Sequence, residues 1–284
     1  MILGEIKSDA AAQLYVDLIK RCLTRSIFPE TYRPINIRPS IRTYPIAWAM
    51  YPLVIPVLAK LNVKLFRYAP TDQAARADGR DWPAEADTMV GLKRLENLQY
   101  CVTEIIRKNV PGDLIETGVW RGGASIFMRA ILKAYGDQTR VVWVADSFEG
   151  LPKPDGRYQQ DAGDRLWELN HTLGISLEQV KANFSRYSLL DDQVRFLVGW
   201  FKDTLPTAPI NQLAVLRLDG DMYSSTMDAL QSLYYKLSLG GYAIIDDYAL
   251  PACRQAVDDF RGEHKITEEL KQIDWTGVFW EKLR

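Results

Sequence analysis

The chain has 284 residues, of which 47% are hydrophobic and 25% are charged, an ordinary composition for a folded soluble protein. Its 35 lysines and arginines nearly balance 36 aspartates and glutamates, so the net charge is −1. A near-neutral chain without a long basic run is a poor candidate for a nucleic-acid-binding protein.

Cysteine usage and the N-terminal sequence both indicate a reducing compartment. Cys22, Cys101 and Cys253 lie far apart and form neither a CxxC motif nor a zinc-ligand spacing. The N-terminus lacks the basic start and the uninterrupted apolar run of a signal peptide. We therefore expect a cytoplasmic protein.

Residues 1–87 are predicted to form a separate N-terminal region that begins with a helix. In the stretch 8–25, Ser8 or Asp9 is a suitable N-cap. The apolar side chains expected to share one face of this helix are Leu14, Leu18, Ile19 and Cys22.

A proline- and aromatic-rich stretch follows this helix. Prolines recur between residues 29 and 56, a spacing that argues against a long regular helix and predicts an extended arm. Within it, the apolar run 46–58 is too short to span a bilayer and is interpreted as buried or substrate-facing, with a membrane-surface position as the less favoured alternative. The polar, alanine-rich segment 72–87 reads as a linker, and helical periodicity returns over 89–108.

Strands alternate with helices in the rest of the chain. The predicted strands cover 113–117, 141–146, 194–198, 213–218 and 242–246, with a last aromatic strand at 276–282 that completes an edge. The helical patterns between them cover 123–135, 176–190, 225–237 and 252–261, the second starting with a Ser176–Gln179 capping box. Near-continuous apolar strands joined by helices predict a doubly wound α/β fold with a mostly parallel sheet.

Ligands of such folds bind outside the carboxyl ends of the strands, so the residues that follow each strand are the candidate site residues. The first strand ends in Glu116 and Thr117, and Gly118 after it permits a tight turn and close approach of a ligand to the backbone. The sequence is not GxGxxG, and its glycines are equally compatible with an ordinary strand–helix turn.

The second and third strands end in residues suited to a nucleoside. Asp146, followed by Ser147, can accept hydrogen bonds from the two hydroxyls of a ribose, although a helix cap or a solvated loop acid is the alternative. Gly199 and Trp200 follow the third strand, where an aromatic ring either flanks a purine or packs in the core.

Carboxylates follow the fourth and fifth strands. Asp219, Asp246 and Asp247 are expected to meet at one edge of the sheet, where they would repel one another unless they bind a cation or share protons. Oxygen ligands suit a hard ion such as Mg²⁺. The alternative is that some of these residues cap the following helices, and Asp221 is the more doubtful candidate for metal ligation.

Several long motifs in this order resemble the macrocin O-methyltransferase (TylF-type) family. They are IETGVWRGGASIFMRA, ADSFEGLPKPD, VGWFKDTLP, LRLDGDMYSSTMDAL and IIDDY, and the resemblance runs from about Thr88 to the C-terminus. It implies a class I (Rossmann-like) methyltransferase domain over 88–284. It also implies an enzyme that uses S-adenosylmethionine and a divalent metal, here Mg²⁺, to methylate a hydroxyl, often on a sugar of a secondary metabolite.

The resemblance also assigns the candidate residues to roles. Glu116, Gly118 and the neighbouring backbone are expected to hold the methionine part of the cofactor, and Asp146 the ribose. The full set expected to bind the cofactor is Glu116, Thr117, Gly118, Arg121, Asp146, Ser147, Gly199 and Trp200. Asp219, Asp246 and Asp247 are the expected metal ligands, with Asp219 also the expected proton acceptor in catalysis.

The acceptor is the less defined part of this prediction. Residues 33–75 do not resemble the family's usual N-terminal connection, and they lie where family members build part of the acceptor pocket and lid. The expected partner is a small hydroxylated molecule, without nucleic acid or membrane insertion, and a homo-oligomer is compatible with the sequence. The alternative function is a nucleotide-cofactor-binding α/β protein of another class, either dehydrogenase-like or a non-catalytic scaffold, against which the missing GxGxxG argues.

Overall fold

The computed structural model describes residues 2–28, 32–34, 45–68, 72–81, 83 and 85–284. Two short strands, β1 (Tyr32–Pro34) and β2 (Phe66–Tyr68), pair with each other in antiparallel fashion. The strands of the main sheet are β3 (Asp113–Thr117), β4 (Val142–Asp146), β5 (Val194–Val198), β6 (Leu213–Leu218), β7 (Leu237–Ile245), β8 (Lys271–Gln272) and β9 (Val278–Glu281).

The described strands of the main sheet lie in the order β5–β4–β3–β6–β7–β9–β8. All neighbours from β5 to β7 are parallel, whereas β9 is antiparallel to both β7 and β8. The apolar strand β6 is buried along its whole length, as expected for a parallel strand covered on both faces. The doubly wound, mostly parallel α/β prediction is confirmed.

In the described part of the chain, α-helices precede, connect and follow these strands. They are α1 (Ile2–Leu23), α2 (Pro45–Lys60), α3 (Gln73–Asp78), α4 (Leu92–Arg107), α5 (Gly123–Ala134), α6 (Asn170–Leu173), α7 (Leu177–Arg186), α8 (Phe201–Thr204), α9 (Tyr223–Leu233) and α10 (Pro251–Glu263). One core cluster packs side chains of α1, α4, α5 and α7 against the sheet, and a second packs those of α9 and α10 on the opposite face.

The first helix differs from its prediction in its start and in its buried face. Ser8 and Asp9 lie inside α1, so neither is its N-cap. Leu14 and Leu18 are exposed, whereas Ile19 is buried together with Val16 and Leu23. The buried face is therefore offset from the predicted one. The helix α1 packs on α5 through the side chains of Val16 and Leu23 rather than through Leu14 and Leu18.

The prediction that residues 29–56 form an extended arm is wrong for 45–56. These residues belong to α2, which contains Pro52 and Pro56 in its interior. Each proline removes one N–H donor to a carbonyl of the preceding turn. Because no described side chain of α2 is buried, water can reach the carbonyls that are left without a partner. Residues 29–31 and 35–44 of the predicted arm lie outside the described part of the chain.

The apolar side chains of α2 are mostly exposed rather than buried. Ile46, Leu53 and Val57 are exposed to 79%, 66% and 56%, so the interpretation of 46–58 as a buried segment is wrong for the described side chains. Within the described ranges, no helix is both long enough and apolar enough to span a membrane.

The predicted linker 72–87 contains a short helix and buried side chains in its described residues. Asp72 caps the N-terminus of α3 by accepting from the backbone N–H groups of Ala74 and Ala75. Arg76 and Asp87 are buried beside the start of α4. This segment is therefore packed against the helix that leads into the main sheet. The helix predicted over 89–108 is confirmed as α4.

Some details of the second half differ from the prediction; for example, the strand predicted at 242–246 begins earlier, as β7 (Leu237–Ile245). The strand at 276–282 is observed as β9, but it lies between β7 and β8 rather than at the edge. Ser176 caps α7 as predicted, whereas the Gln179 side chain donates to Asn183 instead of completing a capping box. The direction of the strand order reverses between β3 and β6, which places the ligand site at their carboxyl ends.

Candidate active site

A cavity of about 550 Å³ opens at the carboxyl ends of β3, β4 and β6. This volume is in the range of pockets that hold a cofactor-sized ligand. The predicted site residues that line it are Glu116, Gly118, Asp146, Ser147, Trp200, Asp219, Asp246 and Asp247.

Gly118 brings the ends of β3 and β6 into close contact. Its φ of +84° is in the left-handed region, and an added Cβ would overlap the carbonyl oxygen of Asp219. Asp219 in turn donates its backbone N–H to the Thr117 carbonyl at 2.9 Å. Only glycine allows this approach, which places the candidate cofactor loop directly against the acidic loop.

Glu116 lies under this turn and is almost completely buried. It accepts hydrogen bonds from Ser125 at one oxygen and from Arg217 at the other, the latter at 2.6 Å. Burial raises the pKa of Glu116 from 4.5 to about 7, although Arg217 and Ser125 act in the opposite direction.

Asp146 is held rigidly at the end of β4. Its two oxygens accept the backbone N–H groups of Val119 and Phe148, both at 2.7 Å. Burial raises its pKa in spite of these hydrogen bonds. The Ser147 hydroxyl lies 3.5 Å from one of these oxygens, a contact long enough for a ribose hydroxyl to replace, and the other oxygen keeps a second acceptor position.

Three of the predicted cofactor residues do not line the cavity in the described part of the chain. Thr117 is buried beneath it. Gly199 donates its backbone N–H to the Asp146 carbonyl and supports the strand end. The Arg121 guanidinium stacks on the Trp120 ring and donates to the Ala86 carbonyl at 2.7 Å, so it faces the N-terminal region.

The structure brings the three predicted metal ligands together. Asp219, Asp246 and Asp247 each offer a carboxylate oxygen within 4.8 Å of the others. This donor set of oxygens alone fits a hard divalent cation such as Mg²⁺. Both oxygens of Asp246 already accept from guanidiniums, of Arg94 and Arg217, so it would bind a metal through a remaining lone pair.

Two carboxylates at this edge of the cavity, Asp247 and Asp221, have raised pKa values. Burial raises the pKa of Asp247 well above its ordinary value, and nearby Asp221 and Asp219 raise it further. Burial and the neighbouring Asp219 and Asp246 carboxylates raise the pKa of Asp221 to about 7. A bound cation would relieve this repulsion, which makes the cluster a suitable place for one.

Asp221 also lines the cavity, although the sequence left its role open. It has a φ of +57°, unusual for a residue with a side chain, and its backbone N–H donates to Asp247 at 3.3 Å. The turn that contains Asp219 and Asp221 therefore aims two carboxylates toward one cavity.

One wall of the cavity is formed by the segment that follows β4. Leu151, Leu166, Leu169 and Leu173 line it there. Arg157 joins this segment to α9 through two hydrogen bonds to Asp228, both at 2.8 Å. The result is an apolar wall held by charged pairs, an arrangement the sequence pattern did not predict.

Arg94 and Arg217 are the functional residues that the sequence reasoning missed. Each is buried and pairs with carboxylates of the site. Arg217 had a signal, because a single arginine inside the apolar strand LAVLRL requires a buried acidic partner. Arg94 had none, since a charged residue on an amphipathic helix normally faces solvent.

This strand order, with a carboxylate at the end of β4 and a glycine turn after β3, defines a class I methyltransferase. The family model described as macrocin O-methyltransferase (TylF) matches residues 12–282, and the chain belongs to that family. It is therefore an S-adenosylmethionine-dependent O-methyltransferase, and the alternative of a dehydrogenase-like or non-catalytic protein is excluded.

Curated relatives agree with this assignment. The 8-demethyl-8-(2,3-dimethoxy-α-L-rhamnosyl)-tetracenomycin-C 4'-O-methyltransferase of Streptomyces olivaceus is 53% identical over 96% of this chain and 94% of its own length. Mycinamicin III 3''-O-methyltransferase of Micromonospora griseorubida is 57% identical over 96% of this chain and 98% of its own length. Demethyldecarbamoylnovobiocin O-methyltransferase of Streptomyces niveus is 57% identical over 75% of this chain and 82% of its own length.

A solved structure supports the fold over the same range. The O-methyltransferase NovP is 46% identical and superposes with a TM-score of 0.80, covering 96% of this chain and all of that one. The class I methyltransferase prediction is confirmed.

Proposed function

We propose that this enzyme methylates a hydroxyl of a sugar, or of another group with vicinal hydroxyls, on a secondary metabolite, and that it requires a divalent metal, Mg²⁺. The observation that carries the metal requirement is the cluster of Asp219, Asp246 and Asp247 at the edge of the cofactor cavity. The relatives whose names specify a rhamnosyl group or a 3''-position support a sugar acceptor.

The cavity residues divide between the cofactor and the acceptor. Asp146 binds the ribose hydroxyls, and Glu116 with the Gly118 turn holds the methionine part of S-adenosylmethionine. Asp219, Asp246 and Asp247 would hold the metal, which when bound would supply a Lewis acid that lowers the pKa of an acceptor hydroxyl. Methyl transfer from a sulfonium is an in-line displacement, so aligning the acceptor oxygen with the methyl carbon is the main task of the protein.

A carboxylate of the acidic turn takes the hydroxyl proton. We assign this role to Asp219, the member of the metal cluster whose backbone contacts the Gly118 turn. Asp221 is a second candidate, because its carboxylate lines the same cavity while one oxygen of Asp219 accepts from Arg217 at 2.9 Å.

The apolar leucines of the segment after β4 accommodate the rest of the acceptor and exclude water. Residues 1–87 are proposed to serve the acceptor side as well. Gly79 is the earliest described residue that lines the cavity, so a role for α2 depends on its closing over the acceptor. A cytoplasmic location is proposed from the free cysteines Cys22, Cys101 and Cys253.

Turnover with and without metal tests this proposal. The purified enzyme is assayed for methyl transfer from S-adenosylmethionine to a glycosylated aglycone, first in excess EDTA and then after addition of Mg²⁺. We expect no turnover in EDTA and full recovery with Mg²⁺. Full turnover in EDTA would exclude the metal requirement while leaving the methyltransferase assignment intact.

A further inference from the structure

One buried guanidinium contacts carboxylates of both halves of the active site. Nη1 of Arg217 donates to Glu116 at 2.6 Å and to Asp219 at 2.9 Å, and Nη2 donates to Asp246. Arg217 is 2% exposed, so its ion pairs with Glu116 and Asp246 are shielded from water, whereas the Asp219 carboxylate is partly exposed. Glu116 belongs to the proposed cofactor site, whereas Asp219 and Asp246 belong to the proposed metal site.

We propose that Arg217 is a positioning residue that couples the cofactor carboxylate to the metal carboxylates. The inference rests on the proposed metal site. Arg217 contacts one oxygen of Asp219 and one of Asp246, and it thereby orients the second oxygen of each. How strongly Arg217 binds these two carboxylates depends on how strongly it also binds Glu116. A change at Glu116 is therefore transmitted to the metal site, although Glu116 lies outside the cluster of candidate metal ligands.

The geometry requires the fork of an arginine. A single Nη1 is shared by two acids and the other Nη serves a third, an arrangement for which a guanidinium is suited and a lysine ammonium is not. Acids around the cavity also outnumber the two buried arginines, Arg94 and Arg217, since Asp221 and Asp247 lie beside the same network. Loss of a contact with Arg217 reduces the charge compensation of a buried carboxylate, since Glu116 then keeps Ser125 and Asp246 keeps Arg94.

The Glu116→Gln variant tests the direction in which the coupling changes metal affinity. Without the Glu116 charge, Arg217 is held more strongly by Asp219 and Asp246 and competes with a metal for their oxygens. The loss of one negative charge acts in the same direction. We therefore expect Mn²⁺ affinity to fall about tenfold in Glu116→Gln, within the usual range of coupling between two sites.

A double-mutant cycle tests the proposal. Wild type, Glu116→Gln, Arg217→Lys and the double variant are titrated with Mn²⁺ alone at pH 8, where Glu116 is charged, with free Mn²⁺ measured by electron paramagnetic resonance. S-adenosylhomocysteine affinity is measured by calorimetry on the same samples. Arg129→Lys is the matched control. Arg129 lies on α5, away from the cavity, is similarly buried, and donates two hydrogen bonds to Asp191.

Non-additivity is the expected result. Arg217→Lys lowers Mn²⁺ affinity about tenfold, and Glu116→Gln then has less than about a twofold further effect in that background. Arg129→Lys leaves both affinities within about twofold of wild type. Additive effects of Glu116→Gln and Arg217→Lys would overturn the coupling, whereas a wild type that binds no Mn²⁺ would overturn the metal proposal together with it.

A second comparison decides the matter if Arg217→Lys does not fold. Asp146→Asn removes a carboxylate of the same cavity that has no contact with Arg217 in the described structure. Glu116→Gln is expected to weaken Mn²⁺ binding while Asp146→Asn weakens only S-adenosylhomocysteine binding. Unchanged Mn²⁺ affinity in a folded Glu116→Gln variant would contradict the proposal.

Discussion

At the end of β4, Asp146 combines burial with two backbone hydrogen bonds, so its carboxylate is presented to the cavity in a fixed orientation. Asp146→Asn replaces a charged acceptor by an amide and removes one of the two acceptor oxygens. We expect S-adenosylhomocysteine affinity to fall about tenfold or more, since hydrogen bonds to a carboxylate contribute about 1.5–3 kcal/mol. Calorimetry gives the affinity, and a folded variant with wild-type affinity would exclude Asp146 from the cofactor site.

Replacing Asp219 and Asp221 one at a time with asparagine tests which of the two carboxylates takes the hydroxyl proton. Loss of a general base typically costs about 10²–10⁴-fold in rate, so Asp219→Asn should lower kcat by at least about 10²-fold at saturating Mg²⁺. S-adenosylmethionine affinity should change little, because neither side chain is assigned to the cofactor. Steady-state kinetics on both variants is the measurement. A near wild-type kcat for Asp219→Asn, with a large loss for Asp221→Asn, would move proton removal to Asp221.

Glu116 gives stability a defined pH dependence. Burial raises its pKa from 4.5 to about 7, so between these values the folded protein holds a proton that the unfolded chain has released. The contribution of Glu116 to stability is therefore favourable at low pH and is lost as the pH rises from about 4.5 to 7. Thermal unfolding without ligands at pH 5 and pH 8 measures it.

Glu116→Gln is the control for this pH dependence. The variant cannot release a proton at this position, so its melting temperature should decrease less between pH 5 and pH 8 than that of wild type. Parallel curves for the two proteins would show that the buried glutamate does not titrate differently in the folded and unfolded states.

At the scale of secondary-structure elements, α9 begins immediately after the acidic turn and is capped from a distant segment. Asp161 is buried and accepts the backbone N–H groups of Tyr223 at 2.8 Å and Ser224 at 2.9 Å. Asp161→Ala should cost about 0.5–2 kcal/mol of unfolding free energy, as for other lost caps, and should also lower kcat because the acidic turn is loosened. Urea unfolding and kinetics are measured together.

Ser176→Ala is the matched control for Asp161→Ala. Ser176 caps α7 through the backbone N–H of Gln179 at 3.3 Å, and it does not line the cavity. We expect a comparable or smaller loss of stability with an unchanged kcat. If the two variants had equal effects on kcat, Asp161 would have no role beyond capping α9 and stabilising the fold.

The helix α2 offers a further test at this scale. Its exposed Leu53 and Val57 form part of an apolar surface that we propose closes over the acceptor. Replacing both with serine should raise the KM for the acceptor while leaving S-adenosylhomocysteine affinity unchanged. Binding of the wild type to liposomes, abolished by the same substitutions, would assign this surface to a membrane instead.

At the scale of the whole molecule, the sheet and the acidic cluster followed from the sequence for physical reasons. Buried parallel strands must be apolar along their length, and the carboxyl ends of adjacent strands must meet, so Asp219 and Asp246 were placed together without coordinates. The same reasoning could not reveal the partners of Asp246, because contacts between distant side chains leave little trace in local periodicity. Arg94, 152 residues away from it in the chain, is the example.

The structure of the N-terminal region was predicted less well than the sheet, since the sequence rules that apply to this region are weaker. Proline spacing argued against a helix at 45–56, yet an exposed helix tolerates lost hydrogen bonds that a buried one does not. The buried face of α1 was misplaced because several apolar stripes compete on that helix, and packing against α5 selects one of them.

The most direct test of metal-dependent methyl transfer is a crystal structure of the enzyme with Mn²⁺ and S-adenosylhomocysteine, examined for anomalous scattering. We predict an anomalous peak within coordination distance of Asp219, Asp246 and Asp247, with the ribose of S-adenosylhomocysteine hydrogen-bonded to Asp146. A structure with S-adenosylhomocysteine bound but no peak at these three carboxylates, at saturating Mn²⁺, would contradict the account.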